Sequence, residues 1–333
     1  MNRKFWLIIM SSILLVLSSV GWMLGCQPAS NSGVGEEEDV PLAYVLPDHV
    51  RLARHRPPRA AWEPTPPDPE LQIDHAGSAV HPGGYFWLIV GPVEPEDRVG
   101  TSLKTPPVFK PFSDGLRALV PVSYHEPPQT LTFNVRVFRE GDEVFFFFFA
   151  VEVEPREFEV QHLQVTPQLE STRTQANFQS DRKYIEKARA ETHADPQWEG
   201  PFLMPVEGRF TTEFGVIRFV NDVPVGRHSG LDIAAPTGTP VMAAEAGTVR
   251  LAQELIVSGK AVIIDHGLDL FTSYLHLDEI LVDVGDTVER GELIGEVGST
   301  GFSTGPHLHW TVSIGHTPIN PWLVLDAPPF ESD

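Results

Sequence analysis

"GPHLHW", Gly305 to Trp310, sets two histidines one residue apart around a leucine. In an extended strand side chains alternate between faces. His307 and His309 then share one face, and Leu308 and Trp310 the other. Two imidazoles converging from one strand can hold a metal, or hold a metal and handle a proton. The same spacing also occurs in a half-exposed strand with no chemistry, so the surrounding chain has to decide.

The chain before this run is a series of brief β-type segments separated by glycine turns: "AGTVRLAQE", "KAVIIDHG", "FTSYLHL", "ILVDVG" and "GELIGEVG". Beyond Pro201 only short strands, turns and loops are expected. "RHSGLDIAAPTGTPV" contributes His228 and Asp232. Their H-x-x-x-D spacing would share a helix face, but Gly230 and Pro236 favour an extended or looped segment. "SYLHL" contributes His276 in a β-run. His228, Asp232, His276, His307 and His309 therefore sit in three β-type segments. A His/Asp/His donor set suits Zn²⁺ with a fourth position open to water.

At this point "GRFTTEFG", "HSGLDIAAPTGTPV", "VIIDHG", "SYLHL" and "VGDTVERGELIGEVGSTGFSTGPHLHW" together resemble the lysostaphin-type (LytM) zinc endopeptidases, across residues 201 to 325. The resemblance implies that His228, Asp232 and His309 are the zinc ligands. It implies that His276 and His307 are catalytic histidines that do not bind metal. It also implies an antiparallel β-sheet with a groove above it (a duplicated hybrid motif) and peptidoglycan stems or crossbridges as substrate. D-alanyl to meso-diaminopimelate crosslinks are the expected bond, with glycine bridges as the alternative. Gly298, Gly301 and Gly305 fit a loop that lets a substrate backbone approach, or turn geometry alone. A catalytically silent module that activates other wall hydrolases is the competing reading, and every ligand and both histidines being present speaks against it. A biotinyl- or lipoyl-type carrier is excluded because no lysine lies between Val282 and Ser299.

The whole chain reads as mainly β. From Ser78 to Val165, runs such as "GGYFWLIVG", "TLTFNVRVF" and "DEVFFFFFAVEVEP" alternate with turn signals and predict an Ig-like β-sandwich. "REGDE", holding Gly141, predicts a hairpin turn. The run Phe145 to Phe149 predicts a central strand buried on both faces. "HEPPQ" begins like a zinc helix but lacks the second histidine, and its prolines forbid the helix. The connector, residues 166–200, holds the one strong helix candidate, Gln179 to Ala194. Ser180 or Asp181 is its expected cap, and Tyr184, Ile185 and Ala188 its packing face. His193 and Asp195 at its end are candidates to reach the metal and restrain the groove, against the plainer reading of a docking helix that packs the two domains together with His193 in solvent. The peptidase domain then spans 201–333.

The N-terminus reads as a signal. Arg3 and Lys4 precede an apolar run from Phe5 to Val20. "MLGC" then resembles a lipoprotein cleavage box, which implies a signal peptide over 1–25 and a lipid-bearing Cys26, the only cysteine. An uncleaved membrane anchor is the alternative, since a span needs about 20 residues. Residues 26–77 are acidic and proline-rich, and read as a disordered linker. These features predict an exported protein anchored to a bacterial membrane and facing the cell wall. With 24 Lys+Arg against 45 Asp+Glu, a net charge of −21 excludes a nucleic-acid partner.

Overall fold

The computed structural model describes residues 80–91, 93, 97–112 and 115–329, and the backbone of the strands Val50–Arg54 and Glu70–His75. The expected signal peptide, Cys26 and most of the linker lie outside the described residues.

The upstream part is two four-stranded antiparallel sheets. One runs in the order Val50–Arg54, Asp142–Val153, Gln129–Arg139, Arg98–Thr101. The other runs Glu70–His75, Tyr85–Gly91, Gly115–Pro121, Lys110–Phe112. Phe133, Val135 and Val137 alternate inward from the first sheet, as the pattern of "TLTFNVRVF" predicts. They meet Phe86, Leu88 and Val90 of the second. The Phe133 ring stacks on Phe149 at 5.0 Å and on Phe86 at 5.9 Å between centroids. The expected hairpin turn forms at Glu140 and Gly141, both at positive φ, which matches the right-handed twist of the paired strands.

The phenylalanine run behaves differently from its expected role. Its strand is central in the sheet, but Phe147 and Phe149 are buried while Phe148 is 44% exposed. The strand buried on both faces is Tyr85–Gly91. Phe86 and Leu88 face the first sheet, while Tyr85 and Trp87 join the core of the downstream domain. The second sheet is the middle layer and the first is the outer one, so a run of apolar residues in the outer sheet keeps one face in solvent. Trp87 Nε1 donates to the carbonyl of Pro329 at 2.7 Å, and Asn320 N–H to that of Gly83 at 2.7 Å, tying the two parts together.

The downstream part is built on an antiparallel sheet in the order Arg209–Thr212, Leu231–Ala234, His307–Ile314, Leu270–Ile280, Gly259–Asp265, Gly247–Leu255, Thr287–Val288, with three short strands alongside. Its core includes Ile233, Val262, Tyr274, Leu308 and Trp310, all essentially inaccessible to solvent. Leu308 and Trp310 thus fill the face behind His307 and His309. The region is not wholly strand and loop, because Trp322–Asp326 forms a short helix. A separate small sheet pairs Val223–Arg227 with Ile217–Val220, and the latter runs parallel to Val160–Leu163, the exit strand of the upstream part.

The connector helix is Gln175–Ala188, so it starts four residues earlier and ends six earlier than expected. Thr174 caps it, accepting from Asn177 N–H at 3.2 Å. Asp181 is no cap. It is buried and accepts from the backbone N–H of Ile256, Val257 and Ser258, each at 2.9 Å, and from the Ser258 hydroxyl. Ile185 and Ala188 pack on Leu251, Leu255, Ile263 and Phe271, but Tyr184 points outward. A 14-residue helix is marginal alone in water, so this docking holds it. The helix stops because better hydrogen bonds lie ahead. Thr192 Oγ1 and His193 N–H donate to the buried carboxylate of Asp265, and Gln197 N–H to the His266 carbonyl.

Candidate metal centre

Three strands and one turn deliver the cluster. Asp232 faces His309 directly across the antiparallel pair of Leu231–Ala234 and His307–Ile314, and Ala234 faces His307. Gly230 allows these strands to meet, since a Cβ there would lie 2.1 Å from the Trp310 carbonyl oxygen. His228 follows the Val223–Arg227 strand and is clamped by its own backbone, its N–H bonded to Val216 O and its carbonyl to Gly215 N–H. His276 sits at a bulge where Leu275 and His276 oppose Ala261, and its φ of 64° re-aims the ring. A non-glycine residue at positive φ is strained, and such strain concentrates at functional sites. Its N–H bonds to Ser258 O, within the turn that Asp181 holds.

The hydrogen bonds fix most of the tautomers. A carbonyl oxygen can only accept, so His228 Nδ1 must donate to Glu213 O at 2.9 Å, His276 Nδ1 to Thr300 O at 2.8 Å and His307 Nδ1 to Gly305 O at 2.7 Å. Each neutral ring is left with a lone pair on Nε2. The lone pair of His228 lies 2.8 Å from Asp232 Oδ1 and 2.9 Å from His309 Nδ1, which itself lies 2.8 Å from the same oxygen. At that distance the nitrogen and the carboxylate oxygen need a proton or a metal ion between them. A tetrahedral Zn²⁺ with bonds of about 2.0–2.2 Å needs donors about 3.3 Å apart, a small opening of this triangle. The three buried residues therefore fit a metal ion. Thr311 Oγ1 lies 2.9 Å and Ser229 Oγ 3.3 Å from His309 Nε2, and orient that ring.

Electrostatics suit the same purpose. Burial pushes the Asp232 carboxyl up, but before a metal binds, the charge of a protonated His228 and the hydrogen bonds with His228 and His309 outweigh it and hold it well below the usual carboxylate range. Burial pushes His276 down to about 3 and His309 to about 4, so both rings are neutral near pH 7. His307 and His276 stand 4.9 Å apart between ring centroids, with His307 Nε2 3.6 Å from Asp232 Oδ1.

All five residues singled out from the sequence thus come together. His193 does not join them. Its Nε2 bonds to Thr248 Oγ1 at 2.9 Å and its N–H to Asp265, and neither it nor Asp195 lines the groove around the centre. The helix docks as the plainer reading expects, but His193 is half-buried against Thr248 and Asp265 rather than in solvent. Sequence reasoning missed Arg218, whose Nη2 donates to Asp232 Oδ2 at 3.0 Å while its Nε donates to Gln161 Oε1 at 3.0 Å. Nothing local marks it, because the parallel pairing of Arg218 with Gln161 joins residues 57 apart. Thr311 was within reach, since it shares the face of His307 and His309 at the same two-residue spacing.

Residues 226–321 match peptidase family M23. The chain is 44% identical over 96 residues to the peptidoglycan DD-endopeptidase ShyA of Vibrio cholerae, covering 29% of this chain and 22% of that one. It is 46% identical over 94 residues to the DD-carboxypeptidase/endopeptidase Mpg of Neisseria meningitidis, covering 28% and 22%. The chain thus spans about a fifth of the length of these curated relatives. A solved protein of Pseudomonas aeruginosa assigned to peptidase M23 superposes with a TM-score of 0.55 at 26% identity, over 74% of this chain and 94% of that one.

Proposed function

We propose that this chain, whose residues 226–321 match peptidase family M23, is a zinc-dependent endopeptidase that cuts peptide crosslinks of bacterial peptidoglycan. The observation that carries this reading is the convergence of His228 Nε2, Asp232 Oδ1 and His309 Nδ1 beside two further imidazoles. The names of the relatives support the substrate, and the D-alanyl crosslink is the bond we assign.

His228, Asp232 and His309 would hold the ion. A Zn²⁺ ion held there would supply Lewis acidity to the scissile carbonyl and would acidify water. The remaining chemistry falls to His276 and His307. With their Nδ1 protons committed to Thr300 and Gly305, both present an unprotonated Nε2 to the site. Between them they take the proton of the attacking water and return it to the leaving amine. Ser303 Oγ, 3.3 Å from His307 Nδ1 and bonded to Gly305 O, steadies the loop that aims His307.

Removing metal with a chelator should abolish the release of crosslinked peptides from purified sacculi, and one equivalent of Zn²⁺ should restore it. Undiminished release from metal-free protein refutes the proposal. We further propose that Cys26 carries lipid and anchors the chain to a membrane, on the motif "MLGC". Cys26→Ser should then leave an uncleaved precursor by mass, and normal processing of that variant excludes the anchor.

A further inference from the structure

Two lobes, of about 230 and 240 Å³, open beside the histidine cluster. They share Arg218, His276, Phe302 and His309. One groove therefore passes through the metal centre, and a peptide lying along it presents a bond there. The family match begins at residue 226, yet part of the second lobe comes from the connector, through Arg173 and Phe178.

Three arginines line that lobe and no carboxylate does, in a chain whose net charge is −21. Two of the three are already engaged. Arg218 holds Asp232 and Gln161, while Arg227 donates to the Tyr124 carbonyl and covers the Phe158 ring. Arg173 differs. It is half-buried, and its guanidinium carbon lies 4.8 Å from the ring centroid of Phe302 and 5.8 Å from that of Phe178. Among the described residues its guanidinium makes no hydrogen bond or ion pair. The neighbouring Glu170 attracts its charge without a hydrogen bond, and itself accepts from the side-chain amide of Asn221. Taking a cation partly out of water with no hydrogen-bonded carboxylate is unfavourable, and two rings flank this one. Such a fork is set for a bidentate carboxylate.

We propose that Arg173 is a substrate-binding residue that receives a free carboxylate of the peptide arm in the second lobe, so that acidic stem peptides are preferred over their amidated forms. This rests on the endopeptidase reading above. Phe302 serves both lobes, so its contact with Arg173 links carboxylate recognition to the loop that carries His307.

The test is calorimetric binding to the full metal-loaded chain. The ligands are a stem tetrapeptide with its side-chain carboxylates free and the same peptide with those groups amidated. A charge-assisted bidentate pair predicts about tenfold or tighter binding of the acid by the wild type. Arg173→Met should bind both forms alike, and Arg173→Lys should fall between, with unchanged melting temperatures. Equal affinity for the two peptides in the wild type, no binding of either, or a preference surviving in Arg173→Met overturns the proposal. Cleavage of crosslinked dimers, measured separately, keeps the two readings distinct. An acid preference without cleavage refutes the enzyme and leaves the subsite, and cleavage without the preference does the reverse.

Discussion

Asp181→Ala should unfasten the connector helix from the catalytic domain. The side chain is 4% exposed and accepts three backbone N–H bonds and one hydroxyl from Ile256–Ser258. Each buried donor left unpaired costs about 1–3 kcal/mol, more than the net worth of an ordinary hydrogen bond. Val257 N–H is fully buried, whereas water can reach the partly buried ends of the turn, so the sum falls near 3–5 kcal/mol rather than higher. For a unit of this size that lowers Tm by roughly 6–20 °C. Asp181→Asn, which keeps one accepting oxygen, should fall between. Glu186→Ala removes only an exposed ion pair with Arg182 and should change stability by less than about 1 kcal/mol. Because Ser258 O accepts the His276 N–H, the alanine variant should also lose kcat while retaining metal. Differential scanning calorimetry with metal analysis reads both effects. An Asp181→Ala protein melting within 2 °C or so of wild type would show that the helix is not held by this carboxylate.

Other expectations concern the centre and its surroundings. His307→Ala should retain its metal and lose roughly 10²–10⁴ in hydrolysis, and a parallel loss of zinc would make His307 a ligand. Arg218→Met strips Asp232 Oδ2 of its donor, so metal affinity measured against a competing chelator should fall about 10–100-fold; unchanged affinity removes Arg218 from the site. His266 is buried and neutral, bonded to Ala246 O and Thr272 Oγ1, with burial pushing it down to about 4. Its folded pKa lies below the unfolded value, so the stability it contributes is present above about pH 6.5 and lost as pH falls towards 4. Urea unfolding of metal-free protein at pH 7 and 4.5 should show wild type losing on the order of 2–3 kcal/mol more than His266→Gln. An equal loss in both proteins would exclude His266 as the titrating group.

His307 and His309 were legible as sharing a face across Leu308, whereas His228, Asp232 and His276 stood out only as donor residues in β-type segments. Their convergence was visible only through the resemblance, since Asp232 meets His309 by a pairing 77 residues long. Asp181 was misread for the opposite reason. Asp near a helix start suggests a cap, and its true partners lie 75 residues or more away. The burial of Tyr85–Gly91 and the half-exposure of Phe148 followed from the order of layers, which apolar runs do not encode. His276 was found as a histidine in a β-run, but its positive φ, which turns it into the groove, has no sequence signal.

The most direct test of the central claim is digestion of a defined D-alanyl-crosslinked muropeptide dimer, followed by mass spectrometry, with zinc quantified in the same preparation. Wild type should bind one zinc and convert the dimer to two monomers. Asp232→Ala should lose most of the metal and leave the dimer whole. A wild-type protein that carries a full equivalent of zinc and leaves the dimer intact, or an Asp232→Ala protein that still cuts it, would contradict the account.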